Sequence, residues 1–167
     1  SSDTIYEIGL TPNRADAMSH YGVARDLLAV MKFHHKINPK QSLKPIDNNI
    51  EIKPKEKTSF SVEILEPEKC TRYTGIIIKN VTVKESPLWV KLKLESIGVK
   101  SINNIVDVTN LVLHDLGQPL HAFDLDKITN ERIKVRCPKP KTRFITLDEN
   151  ERTLDQNDLM ICNDTVE

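Results

Sequence analysis

A chain of 167 residues is long enough to bury one sizeable core, or one domain and a piece of another. Its 24 basic and 24 acidic residues cancel, so whole-chain electrostatics call for neither nucleic acid nor a membrane. No run of about 18 apolar residues exists to span a bilayer, and the N-terminus lacks the basic and apolar regions of a signal peptide, so a soluble cytoplasmic protein is expected.

Thr4 to Leu10 reads as a strand that breaks at Thr11-Pro12-Asn13-Arg14, after which Asp16 or Ser19 can cap a helix with Val23, Leu27, Leu28 and Met31 as its buried stripe. A strand, a turn and a helix make only part of a domain. From 34 to 57 the composition shifts to Lys, Pro, Asn and Gln, too poor in large apolar residues to form a core, and this stretch is read as a linker. His34 and His35 at its start read as a solvated helix end. A second domain then begins, spanning 58–167. Phe60, Val62 and Ile64 alternate with polar residues as a half-buried strand does, and Arg72 to Val83 follows as a longer strand. Ser86-Pro87 supplies an N-cap and a first-turn proline for a helix with Leu88, Trp89, Leu92 and Ile97 facing inward, closed by Gly98.

Ile105 to Leu116 is apolar enough to be a largely buried helix, with Gly117 as its left-handed terminator and Pro119 forbidding continuation. Leu120 to Asp124 reads as an extended segment emerging from that turn. Further strands are expected over Ile133 to Cys137, Phe144 to Leu147 and Leu159 to Cys162, with Asp148-Glu149-Asn150 as a connecting turn. Strands and helices mix without a βαβ rhythm. The expected class is therefore α+β, a mixed, largely antiparallel sheet with packed helices.

Chemistry-bearing side chains concentrate between Val106 and Asp124, where Asp107, Thr109, Asn110, His114, Gln118, His121 and Asp124 interrupt an apolar segment. Burial gives no obvious reason for a Thr-Asn pair on a helix, and a helix turned back on a segment carrying His121 can build a pocket. General catalytic motifs are absent: there is no Gly-rich phosphate loop, no G-x-S-x-G and no H-E-x-x-H. His121, Asp124 and Asp126 have no companion cluster to complete a metal site. His121 reads equally as a residue that bonds a backbone carbonyl at a turn. Cys70, Cys137 and Cys162 are odd in number and unpaired in spacing, which fits reduced thiols. Arg132 to Arg143 holds six Lys or Arg and no acid, against seven acids and one Arg from Phe144 to Glu167. This is a possible phosphate contact beside an acidic surface.

Ile102-Asn103-Asn104-Ile105-Val106-Asp107-Val108-Thr109-Asn110, continued by Gly117-Gln118-Pro119-Leu120-His121-Ala122-Phe123-Asp124, closely resembles the B3/B4 editing domain of the bacterial phenylalanyl-tRNA synthetase β subunit. Thr11-Pro12-Asn13-Arg14-Ala15-Asp16 through Gly22-Val23-Ala24-Arg25 resembles the segment that closes the same subunit's ferredoxin-like B1 domain, here over 1–33. The resemblance implies hydrolysis of tyrosine misattached to the phenylalanine tRNA. It implies an editing pocket containing His121, Asn110 and Thr109, which position substrate and water. Given a tRNA partner, the charge pattern makes Arg132, Lys134, Lys139 and Lys141 of the basic segment candidate contacts with its backbone, and Lys100 is a further candidate. The partners implied are tRNA(Phe), the rest of the β subunit and an α subunit, in a heterotetramer whose ATP and Mg²⁺ act elsewhere, with no cofactor or metal held by this chain.

Departures from the family pattern bear on those roles. Gly98-Val99-Lys100-Ser101 stands where Gly-Ile-Arg-Pro is frequent, so Lys100 keeps the charge without the bidentate fork. Leu111 replaces a frequent tyrosine. The family's glycine-rich stretch and the glutamate that reads the tyrosyl hydroxyl are expected downstream of Glu167, so the fragment by itself is expected to be inactive. Two other readings stay open: a non-catalytic tRNA-docking or subunit-scaffold module, and a free-standing trans-editing hydrolase.

Overall fold

The turn at Thr11 to Arg14 is present in the computed structural model, which describes residues 3–38, 43, 53, 56–146 and 148–164. Arg14 N donates to Thr11 O at 3.0 Å, and the Thr11 hydroxyl donates to Asn13 at 2.6 Å. The chain then makes a 3-10 turn over Ala15–Ala17 and enters helix α1, His20–Phe33. Of the two candidate caps, Ser19 is the one used, its hydroxyl accepting from Gly22 N at 3.0 Å. Asp16 instead joins an ion-pair group in which Arg14 binds Asp16 and Asp26 while Arg25 reaches Asp16 at 2.6 Å. Gly22 lies so close to the 3-10 turn that a β-carbon there would stand 2.4 Å from Asp16 O.

Two expectations for this segment fail. Residues 4–10 form no strand: no strand pairs with them among the described residues, and Ile5, Tyr6 and Ile8 are exposed. An unpaired strand leaves its backbone groups to water and gains nothing from being regular. On α1, Leu27 is exposed, whereas Val23, Leu28 and Met31 are half-buried as expected, with Tyr21 and Ala24 beside them. Most of the expected linker, 34–57, lies outside the described residues.

Two compact units emerge from the contacts, Ser1–Glu51 with Val81–Ala122 and Ile52–Asn80 with Phe123–Glu167. In the first, helices α2 (Leu88–Ser96) and α3 (Asn104–Leu116) pack together, and α3 also packs on α1. The inward face of α2 is Val90, Leu94 and Ile97, with Leu94 fully buried, while Trp89 is 58% exposed and Leu88 and Leu92 also face out. The segment Leu-Trp-Val-Lys-Leu-Lys-Leu offers two apolar stripes, so periodicity alone does not choose between them; packing against α3 does. Pro87, rather than Ser86, occupies the cap position of α2. Gly98 closes that helix with φ +79°, and Val99 N bonds back to Leu94 O.

In the second unit, β1 (Ser61–Ile64) runs parallel to β2 (Arg132–Arg136), and β2 runs antiparallel to β5 (Met160–Asn163), giving a sheet of order β1-β2-β5. Val62 and Ile64 pair with Ile133 and Val135, which form its buried centre. β3 (Thr142–Ile145) and β4 (Glu151–Leu154) make a separate hairpin. Its turn is organised by Asp148, which accepts from Thr146 and Asn150 and is held at a pKa of about 2 by those bonds. The α+β class with mixed pairing is therefore as expected. The long strand over Arg72 to Val83 is not formed: no ladder partner lies beside it among the described residues, and Ile76 and Ile78 are exposed.

The near-contact at Gly22 sets a stability requirement. Gly22→Ala drives a methyl into backbone, so we expect a loss of about 1–3 kcal/mol despite alanine's better helix propensity. Denaturant unfolding measures it, and an unchanged midpoint would contradict the close approach.

Candidate functional site

Helix α3 begins with two asparagines that do different work. Asn103 is the N-cap, its side-chain oxygen accepting from Ile105 N at 3.0 Å and Val106 N at 3.1 Å. Asn104 pins the preceding segment: it donates to Thr82 O and accepts from Lys84 N, each at 3.0 Å. Gly117 ends the helix at φ +75°, as expected, beside Ser19 at the start of α1. Asp115 in the last turn receives His20 of α1 at 2.8 Å and Lys93 of α2 at 3.5 Å, so both ends of α3 are fixed by polar bonds.

The centre of the site is Asp107, a carboxylate with 0% exposure. It accepts the hydroxyls of Ser86 and Ser101, each at 2.5 Å, and the backbone N–H of Ile102 at 2.8 Å. Burial by itself pushes this carboxyl up. The bonds from Ser101, Ser86 and the backbone of Ile102 and Asn103 outweigh it and hold the group below its ordinary value. Ser86, read from sequence as the cap of α2, is thus a donor to α3. Nothing in the sequence pointed to the pairing of Ser86 and Ser101 with Asp107. The available signal was an aspartate inside an apolar helix, which must find donors if it is buried.

Thr109 and Asn110 follow on the same helix, about 100° apart around its axis. Both are half-buried. Thr109 donates its hydroxyl proton to Val106 O at 2.7 Å, so its oxygen remains available as an acceptor only. Asn110 makes no side-chain hydrogen bond among the described residues and presents both an acceptor and two donors. His121 belongs to the same unit, exposed in the irregular stretch 118–124. The extended segment expected there joins no ladder among the described residues. Asp124 caps a 3-10 turn over Leu125–Lys127, accepting from Asp126 N at 3.2 Å. Among the described residues no three His, Cys, Asp or Glu side chains converge as a metal set.

The basic residues divide. Lys100 is exposed in the loop between α2 and α3 of the first unit. Arg132, Lys134, Lys139 and Lys141 are in the second. Lys134 is paired with Asp164 at 2.5 Å and Arg132 approaches the same carboxylate at 3.9 Å. One acid therefore offsets part of the charge that the sequence displays as a run. Cys70, Cys137 and Cys162 are free thiols, Cys137 accepting from the Lys69 ammonium at 3.1 Å.

Among known proteins, the family model of the B3/4 domain matches residues 69–166. The chain is 46% identical over 164 residues to the phenylalanine--tRNA ligase beta subunit of Bacteroides thetaiotaomicron, covering 97% of this chain and 19% of that one. It is 45% identical over 169 residues to the subunit of the same name from Porphyromonas gingivalis, with 96% and 19% covered. The corresponding subunit of Syntrophus aciditrophicus is 45% identical over 160 residues, again with 96% and 19% covered. The chain thus spans about a fifth of the length of these relatives. Thr109, Asn110, His121 and all five basic candidates fall inside the matched stretch.

The Asp107 network makes stability depend on pH in a defined direction. Its folded pKa lies below the ordinary 3.8, so the ionised form is favoured by folding. The stabilisation is complete above about pH 4 and is lost as pH falls through the lower folded value. The difference in unfolding free energy between the wild type and Asp107→Asn is therefore expected to be constant from neutrality to about pH 4 and to shrink below it. Chemical denaturation across that range measures it.

Proposed function

Since the chain belongs to the B3/4 domain family, we propose that it is part of a phenylalanine-tRNA ligase β subunit and forms one wall of a site hydrolysing tyrosyl-tRNA(Phe). Residues 1–33 are then the end of a B1-like domain, 34–57 a linker and 58–167 the first part of a B3/B4-like editing domain. The observation that carries the reading is Asn110: a half-buried carboxamide without a hydrogen bond among the described residues, on a helix fixed at both ends. A side chain of that kind is ready to bond a ligand without first breaking bonds to its own fold.

The chemistry required is attack of water on an ester carbonyl. A synthetase pocket selecting phenylalanine discriminates weakly against an isostere with one added hydroxyl, so a second hydrolytic site raises fidelity. Asn110 can donate to the ester oxygen or orient the water, and Thr109 can accept from the water or a ribose hydroxyl. His121 can contact the terminal nucleotide or the water through its ring nitrogens. A serine nucleophile is disfavoured: Ser86 and Ser101 give their protons to Asp107, a carboxylate too weakly basic to activate them. ATP and Mg²⁺ belong in this reading to the α subunit's activation step. The working assembly is an αβ heterotetramer with tRNA(Phe) in the cytoplasm.

A second reading, a tRNA-docking or scaffold module without catalysis, is favoured by the commitment of the Thr109 proton to its own helix. A free-standing trans-editing hydrolase is disfavoured by relatives about five times the length of this chain.

In the complete heterotetramer, Asn110→Ala and His121→Ala are each expected to lower hydrolysis of tyrosyl-tRNA(Phe), by about 10²-fold for Asn110, with aminoacylation unchanged. Full hydrolysis in both variants would discard the pocket; abolished tRNA binding in both would favour docking. Electrostatics give a separate test. Replacing Lys139 and Lys141 with Gln is expected to reduce the slope of log affinity against log salt by about one unit for each phosphate that is no longer neutralised. Lys134→Gln should do less because Asp164 already pairs with it. An unaltered slope in the double variant would remove this segment from the tRNA interface.

A further inference from the structure

Asp107 has no exposed surface, so it cannot touch a substrate, and its carboxylate oxygens are taken up by Ser86, Ser101 and Ile102 N. Yet it lies one turn or less from both candidate site residues. Asn110 is three residues on, about 4.5 Å along the axis and on the neighbouring face. Thr109 is oriented by its bond to Val106 O, the residue just before Asp107. The first turn of α3, Asn104 to Asp107, is thus the base that carries the second turn, from which both side chains project, and the carboxylate is what attaches that base to the loop at 101–102 and to the entry of α2 at Ser86. We propose that Asp107 is a positioning residue for the hydrolytic site, holding Asn110 and Thr109 in register with the ester through its bonds to Ser86, Ser101 and the Ile102 backbone.

This rests on the editing reading given above. It adds to it that three residues remote from the ester set the geometry of the reaction. An ordinary core residue would lower stability without discriminating between ground state and transition state. A mounting that fixes the angle of Asn110 acts mainly on the transition state, where a misplacement of about 1 Å costs up to about 10²-fold. Asp107→Asn keeps the size of the side chain but removes its charge and one acceptor: the amide either faces the Ile102 N–H, donor against donor, or turns to the two serine oxygens, reversing both bonds and leaving both hydroxyl protons without this acceptor.

The test uses the complete heterotetramer and compares Asp107→Asn, Ser101→Ala, Ser101→Thr and Asn110→Ala in hydrolysis of tyrosyl-tRNA(Phe) and in phenylalanine aminoacylation. The expected result for Asp107→Asn is a kcat for hydrolysis about tenfold or more lower, a KM within about twofold and intact aminoacylation. Ser101→Ala should share the defect, and Ser101→Thr, which keeps the hydroxyl, should restore it. If Asn110→Ala loses hydrolysis while Asp107→Asn retains it, the positioning role is wrong and the editing reading survives. If both retain full hydrolysis, the editing reading falls and this role with it. A defect in Asp107→Asn that appears wholly in KM, or equally in aminoacylation, would assign the residue to general folding and overturn the proposal.

Discussion

A carboxylate cut off from water must either be surrounded by donors or give up its charge, and Asp107 takes the first course. Two serine hydroxyls and a backbone amide converge on it from the entry of α2 and from the loop that precedes α3. Those bonds are directional, so they set the axial position and rotation of α3 in a way that Val90 and Leu94 packing alone would not. Removing the carboxylate would leave these donors without their acceptor, at a cost of about 1–3 kcal/mol for each that stays buried. Around this point the two asparagines at 103 and 104 complete the fastening, one to the helix's own amides and one to the segment 82–84. The result is a helix whose first turn is over-determined and whose outer side chains inherit that rigidity.

Several polar residues that looked like free chemistry are already engaged. Thr109 commits its donor to α3, Asp124 caps a 3-10 turn, and Lys134 answers Asp164. Asn110 stands apart because no such bond occupies it among the described residues. A ligand that bonds Asn110 displaces water alone, whereas one that recruits the Thr109 proton must first break a helix-side bond. This asymmetry is why Asn110, rather than its neighbour, carries the functional reading.

The two compact units are each discontinuous along the chain, and the reason is the pairing. β1 finds β2 some seventy residues later, and α1 finds α3 across the intervening strand and helix segments. Lys100 and the Arg132 to Lys141 group accordingly belong to different units although they read as one basic set in the sequence.

Local signals were legible where one residue type has a single physical use. Gly117 and Gly98 terminate helices through positive φ, Ser19 is one of the two caps offered for α1, the Asp148-Glu149-Asn150 turn joins β3 and β4, and the alternation of Val62 and Ile64 marks a strand. The candidate site residues Thr109, Asn110 and His121 were legible as an interruption of an apolar pattern, together with the family resemblance. What failed were choices between equally apolar alternatives. Residues 4–10 and 72–83 have strand character but no partner among the described residues, and a strand exists only as part of a ladder. Trp89 lies on one of two apolar stripes of α2, and contact with α3 selected the other. Sequence by itself determined the glycine-terminated ends of α2 and α3, the turns at Thr11 to Arg14 and at Asp148 to Asn150, the α+β class and the residues with chemistry to offer. Tertiary structure alone decided which faces are buried and that Ser86, Ser101 and Asp107 meet, because those bonds join positions up to 21 residues apart whose proximity no local pattern encodes.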